Sequence, residues 1–175
     1  MPDELGVKHL TPENWLVADA VAVMIHRTDS GAAISGSEWV ELTSTPKISD
    51  SVPRDIHRMF EVARGAMIYG YFFYPLLTLG EQHLYRAIEA AVTLKCHSLQ
   101  GPAGRETLSQ KLDWLLEHGS LTASQRQDWD SLRIARNEAS HPRFQSIILP
   151  NFALFMLGDV AKEINLLFDH TTPTS

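Results

Sequence analysis

The chain has 175 residues, a formal net charge of −6, 44% hydrophobic and 21% charged residues. These values indicate one globular domain whose core needs neither disulfides nor metal. A single cysteine, Cys96, excludes an intramolecular disulfide, and the acidic start Met1–Glu4 is unlike a secretory signal, so we expect a cytoplasmic protein.

Charge is distributed unevenly along the chain. Residues 1–52 carry eight acidic and three basic side chains, whereas residues 53–175 carry 13 acidic and 12 basic ones. The larger part is therefore nearly neutral. This allows a local phosphate site but not the broad basic surface of a general nucleic-acid binder.

The first third of the chain predicts one helix and a long connection. Thr11 is a good N-cap and Pro12 suits the first helical position, which predicts a helix to about Thr28. Residues 30–52 are rich in Gly, Ser, Thr and Pro, with a possible short strand at Trp39–Leu42. We expect residues 1–52 to dock on a bundle formed by residues 53–170.

The rest of the chain predicts five helices. Pro53 restarts the helical pattern, and Pro75 should kink or break it before a second long helix to about Leu99. Three further helices are predicted over 107–117, from the capping box that begins at Thr122, and from Pro150 onward. About six helices with mostly short connections predict an all-α antiparallel bundle.

The longest uncharged segment, residues 65–80, is 16 residues long. A membrane span needs about 20 apolar residues, and this segment also contains Pro75 and three glycines. Its aromatic run, residues 69–74, is typical of a core or a subunit interface. We therefore expect no membrane contact.

Familiar catalytic and phosphate-binding motifs are absent from the sequence. The eight histidines never recur at three or four residues' spacing, so a helical zinc site is not expected. We predict neither a metal nor another cofactor.

The segment 136–142, Arg-Asn-Glu-Ala-Ser-His-Pro, is the best candidate for chemistry. Pro142 disfavours helical geometry at His141, and Asn137 lies four residues before that histidine. The carbonyls of a helix end favour a protonated imidazole, the form that donates a proton. Arg133, Arg136 and Arg143 supply guanidinium groups that suit phosphate oxygens.

This arrangement resembles the HEPN superfamily (higher eukaryotes and prokaryotes nucleotide-binding domains). The resemblance covers about residues 70–168: an arginine, a polar residue and a histidine before proline, late in a helical bundle. Residues 86–89, Arg-Ala-Ile-Glu, resemble a stretch of the family's earlier helix. The resemblance implies a HEPN-like fold and a homodimer with one composite site.

The resemblance also implies a function. Many HEPN proteins are metal-independent endoribonucleases of toxin–antitoxin, phage-defence or CRISPR systems. The resemblance implies that His141 would be the general acid or base and that Arg136 would stabilise the phosphate. Asn137 would orient His141 or the phosphate. Arg133, Arg143 and Glu89 would contribute to substrate binding. RNA or a nucleotide would be the ligand, and an antitoxin or regulatory protein a possible partner.

Other readings of the same residues remain open. Arg136 could stack on Trp129 and pair with an acid, Asn137 could form a local turn, and His141 could simply cap its helix. Glu89 could be a buried partner of Arg136 across the bundle or a solvated helix charge, and we favour the second reading. Cys96 is best read as a small buried residue.

At the level of function, the first alternative is a non-catalytic HEPN-like module for dimerisation, nucleotide binding or regulation. The near-neutral body favours it, because ribonucleases usually present a more positive surface. A weaker third option is a stress-regulatory subunit controlled by a partner encoded alongside it.

Overall fold

The computed structural model describes residues 6–25, 31–102, 104–139 and 148–169 (for residues 138 and 139, the backbone only). This part of the chain forms seven helices and no β-strand, which confirms the predicted all-α class. The helices are α1 Ala20–Ile25, α2 Gly36–Ser44, α3 Arg54–Tyr69, α4 Leu76–Ser98, α5 Leu108–Glu117, α6 Ala123–Ala139 and α7 Pro150–Asp169. Within these ranges no helix combines the length and apolarity needed to cross a membrane.

Helix α4 is the centre of the bundle and packs against α3, α5, α6 and α7. Its residues Leu84, Ile88, Ala91 and Val92 are buried at successive helical turns. This spacing places an apolar stripe along the helix, and burying that stripe stabilises the bundle. Glu89 of the same helix is 40% exposed and reaches Arg136 of α6.

The predicted ends of the later helices are confirmed where the structure describes them. Helix α3 ends before Pro75, and α4 begins directly after it. Thr107 and Gln110 form a reciprocal capping box at the start of α5, and Gly119 ends that helix region with a φ of 71°. The predicted end of α6 at Pro142 lies outside the described residues.

The predicted helix from Thr11 to Thr28 is wrong over most of its described length. Residues 12–16 form turns, and the helix is limited to Ala20–Ile25. Trp15 and Leu16 are 55% and 54% exposed, so no core contact supports a helix there. The Asn14 side chain instead accepts the Thr11 N–H, which stabilises a local turn.

The possible strand at Trp39–Leu42 is also wrong, because this patch lies inside α2. Ser35 and Glu38 form a capping box that starts the helix. Trp39 is fully buried, and its indole N–H donates to the Met67 carbonyl of α3 at 3.0 Å. Residues 36–44 therefore form a helix that packs on the bundle through Trp39 and Thr43 rather than a long loop.

The apolar spacing of the last helix predicts that Phe152 and Phe155 are buried, and the structure shows that this is wrong. Phe152 and Phe155 are 43% and 59% exposed and stack on each other with centroids 6.2 Å apart. Ala153, Met156 and Leu157 are buried instead. The start of α7 is thus rotated so that two aromatic rings face outward.

Candidate functional site

A pocket of about 510 Å³ lies between α4, the start of α5 and the last turns of α6. Glu89, Arg133, Arg136 and Asn137, four residues singled out by the sequence, all line it. They come from helices distant in sequence and meet because α4 packs against both α5 and α6. The volume lies within the usual range for small-ligand sites.

Polar contacts with Glu89 and Asn137 help to hold Arg136 at the edge of this pocket. Its Nη2 donates to the Glu89 carboxylate, and its Nη1 donates to Asn137 Oδ1 at 3.1 Å. The Arg136 and Glu89 side chains are 39% and 40% exposed, so solvent reaches both. Two roles were left open for Glu89, and the structure shows that its carboxylate pairs with Arg136.

Asn137 lies within the regular helix α6 and not in a turn. Its side chain is exposed and fixes the guanidinium beside it. The predicted contact of Asn137 with His141 involves a residue outside the described ranges and stays a prediction. Arg143 lies outside them as well.

Arg133 is positioned by an acid one turn earlier in α6. Its Nε donates to Asp130 Oδ1 at 2.9 Å, and Asp130 also pairs with Arg126 Nη1 at 2.6 Å. The hydrogen bond from Arg126, followed by that from Arg133, lowers the pKa of Asp130 despite some desolvation. Asp130 therefore stays ionised and keeps the guanidinium of Arg133 at the pocket wall.

The opposite wall was not anticipated from the sequence. It is formed by Thr107, which caps α5, by Ser109 and Lys111 of α5, and by Thr93 of α4. Lys111 is 7% exposed, and its ammonium group donates to Thr93 Oγ1 at 3.0 Å. The apolar pattern of α5 predicted its buried face but not which helix would lie opposite Lys111.

Cys96 lies behind Lys111 and is fully buried. Its Sγ is 3.7 Å from the Lys111 carbonyl oxygen, and burial raises the pKa of the thiol. A raised pKa keeps the thiol protonated and unreactive. The interpretation of Cys96 as a small buried residue is confirmed.

A buried tyrosine holds the residue Ile148, which lies shortly before α7. The Tyr74 hydroxyl donates to the Ile148 carbonyl at 2.6 Å, just before α7. Tyr74 is in turn fixed by Asp19, whose carboxylate accepts the Tyr74 N–H at 2.9 Å. Asp19 and Tyr74 thus connect the start of α1, the turn between α3 and α4 and the residues that lead into α7.

No cluster of three or more His, Cys, Asp or Glu side chains suited to a metal ion occurs among the described residues. The pocket instead offers guanidinium, ammonium, amide and hydroxyl groups, which are donors to anions. No protein-family model, no curated protein and no solved structure matches the chain. Conclusions about function therefore depend on the geometry of the pocket and on the resemblance in its motif.

Proposed function

We propose that this protein binds RNA in the pocket between α4, α5 and α6 and cleaves it without a metal ion, as HEPN-type endoribonucleases do. The observation that carries the proposal is the convergence of Arg133, Arg136 and Asn137 in one open pocket with Lys111 on its far wall. Three cations line the pocket against two acids, Glu89 and Glu106. Arg133 and Arg136 are paired with Asp130 and Glu89, whereas Lys111 has no ion pair with a described carboxylate, so its positive charge favours a phosphate.

The chemistry divides between positioning and proton transfer. The RNA 2′-hydroxyl attacks the adjacent phosphorus, a cyclic phosphate forms, and the bond to the 5′-oxygen of the next nucleotide breaks. Arg136 stabilises the charge that builds on the phosphate oxygens, and Glu89 and Asn137 hold its guanidinium plane. His141 exchanges the proton with the attacking or the leaving oxygen.

We further propose that two copies of the chain build one composite site. Leu149, Phe152 and Phe155 are 60%, 43% and 59% exposed near the segment that carries His141. Exposed apolar side chains of this size are typical of surfaces that become covered by a partner. In an isologous contact the same surface of each chain faces its copy, so the motif segments of the two chains would contribute to one site.

The test is incubation of the pure protein with mixed RNA in EDTA. We expect cleavage by the wild type, and a loss of about 100-fold or more in Arg136→Ala and His141→Ala, as for removal of a charge-stabilising or proton-transferring group. The control is Arg58→Ala, an exposed arginine of α3 that pairs with Asp55. Equal rates in all four proteins would exclude both residues from catalysis.

A specific observation supports the non-catalytic alternative. The Glu89 carboxylate already occupies one face of Arg136, so a phosphate must share or displace this partner. Glu89→Gln distinguishes the two functions. In a ribonuclease the change alters the cleavage rate, whereas a binding module shows no cleavage with either residue and binds RNA more tightly once the competing charge is removed.

A further inference from the structure

Lys111 is an unusual residue in the wall of the pocket. It is 93% buried, as its exposed fraction of 7% shows, yet it lines the pocket. The one hydrogen-bond acceptor that its ammonium group has among the described residues is the neutral hydroxyl of Thr93. No ion pair with a described carboxylate compensates its charge, whereas Arg133 and Arg136 each have one.

A buried ammonium without a carboxylate is costly, because its charge has been removed from water. Two of its three N–H donors remain available for a ligand. An anion that enters the pocket supplies both the missing charge and the missing acceptors. An anion beside Lys111 would meet both needs at once.

The start of α5 adds further donors at the same place. Thr107, Leu108 and Ser109 line the pocket at the N-terminal turn of the ten-residue helix, where backbone N–H groups and the helix dipole favour negative charge. The Thr107 side chain already accepts the Gln110 N–H in its capping box. The N–H groups of the residues between them are available to a bound anion.

We propose that Lys111 and the first turn of α5 form a subsite for a terminal phosphomonoester, carried either by a mononucleotide or by the end of an RNA strand. A terminal phosphate needs only one connection out of the pocket, which suits a buried ammonium better than an internal phosphodiester does. The subsite shares the pocket of the proposed function and rests on its premise that the pocket binds phosphate. It does not require cleavage.

The experiment compares AMP with adenosine in NMR titrations of the ¹⁵N-labelled full-length protein. In the wild type we expect AMP to bind about 10-fold or more tightly than adenosine, the usual effect of a charge-assisted contact. Lys111→Met, which keeps the volume, should reduce this preference to about twofold or less. A second arm compares RNA with a 5′-phosphate and the same RNA with a 5′-hydroxyl, and shows which source is preferred.

Lys95→Met is the matched control. Lys95 is equally buried, at 8% exposed, but it lies against the Phe168 ring and not in the pocket. This variant should keep the full preference for AMP. If Lys111→Met fails to fold, as judged by circular dichroism, Thr93→Val removes the hydroxyl that orients the ammonium and should lower the preference about threefold.

Equal binding of AMP and adenosine by the wild type would overturn the subsite, as would a preference that survives in the Lys111 variant. Neither result decides whether the protein cleaves RNA, because the cleavage assay in EDTA tests that separately. Conversely, a protein that cleaves no RNA but distinguishes AMP from adenosine through Lys111 retains the subsite and loses only the ribonuclease proposal.

Discussion

The corner where α3 meets α4 and the pocket between α4, α5 and α6 use buried polar groups in opposite ways. At the corner, Asp19, Trp39 and Tyr74 each bond to backbone groups of other segments. In the pocket, Lys111 has one neutral acceptor among the described residues, and Arg136 pairs with Glu89 where solvent reaches both side chains. Buried polar groups that bond to the backbone fix the fold, whereas charged groups that line an open pocket can contact a ligand.

The largest loss of stability is expected at the corner between α3 and α4, for the variant Trp39→Ala. The change removes a fully buried indole and its bond to Met67, and should lower the free energy of unfolding by about 3–5 kcal/mol. Urea denaturation followed by circular dichroism measures it. Val40→Ala, at a 43% exposed neighbour, should change stability by less than about 1 kcal/mol. Similar small losses in both variants would show that α2 is not part of the core.

Tyr74→Phe should have the next largest effect. It removes only the hydroxyl and leaves the Ile148 carbonyl without that donor, which should cost about 1–3 kcal/mol. The same denaturation experiment applies, with Tyr69→Phe as the control because Tyr69 is 56% exposed. If the two tyrosine variants were equally stable, the link from the corner to the start of α7 would be unimportant.

Glu81→Gln tests the cost of a buried charge that, like the ammonium group of Lys111, has no ion pair among the described residues. Burial raises the pKa of Glu81 above 4.5, although the hydrogen bond from the Tyr85 hydroxyl at 2.7 Å partly opposes this. A carboxyl whose pKa is raised in the folded state stabilises the fold below pH 4.5, and this stabilisation is lost as the pH rises through the folded-state pKa.

Glu81→Gln keeps the volume and the acceptor but cannot ionise. It should therefore be more stable than the wild type at pH 7, and the difference should shrink toward pH 4. Urea denaturation across this pH range gives the comparison, with Glu41→Gln as an exposed control. A variant less stable than the wild type at pH 7 would contradict the argument.

The smallest effect on stability is expected in the pocket, for Arg136→Gln. The ion pair with Glu89 is about 40% exposed on both sides, and such pairs contribute less than about 1 kcal/mol. The melting temperature should therefore change little, in contrast to the corner variants. A loss as large as that of Tyr74→Phe would indicate that Arg136 serves the fold rather than a ligand.

The difference between the two regions also explains what could be predicted from the sequence. Helices α3 to α7 are marked by local signals such as Pro75, Thr107 and Gly119, and these were sufficient. The first third depends on tertiary contacts instead, because α1 and α2 are short and gain stability from burial of residues such as Trp39. The capping box Ser35-Gly36-Ser37-Glu38 was nevertheless a local signal that could have revealed α2.

In the candidate site, too, local sequence signals do not identify residues that meet only through tertiary packing. The motif around Arg136 and the helix that carries Glu89 were recognisable, and the structure brings these two residues into contact. Lys111 and Thr93 could not be assigned to the site, because only the packing of α5 on α4 brings them together. One hint was present in the sequence, because Lys111 lies on the apolar face of its predicted helix.

The central claim is that the cations of this pocket contact the phosphates of an RNA. The most direct measurement is a titration of the arginine Nε–H signals by NMR with an RNA whose 2′-hydroxyls are all methylated, so that it binds but cannot be cleaved. We predict that the signals of Arg133 and Arg136 shift most, while those of Arg58 and Arg64 on α3 stay in place. Larger shifts on α3, or none at Arg133 and Arg136 under saturation, would contradict the claim.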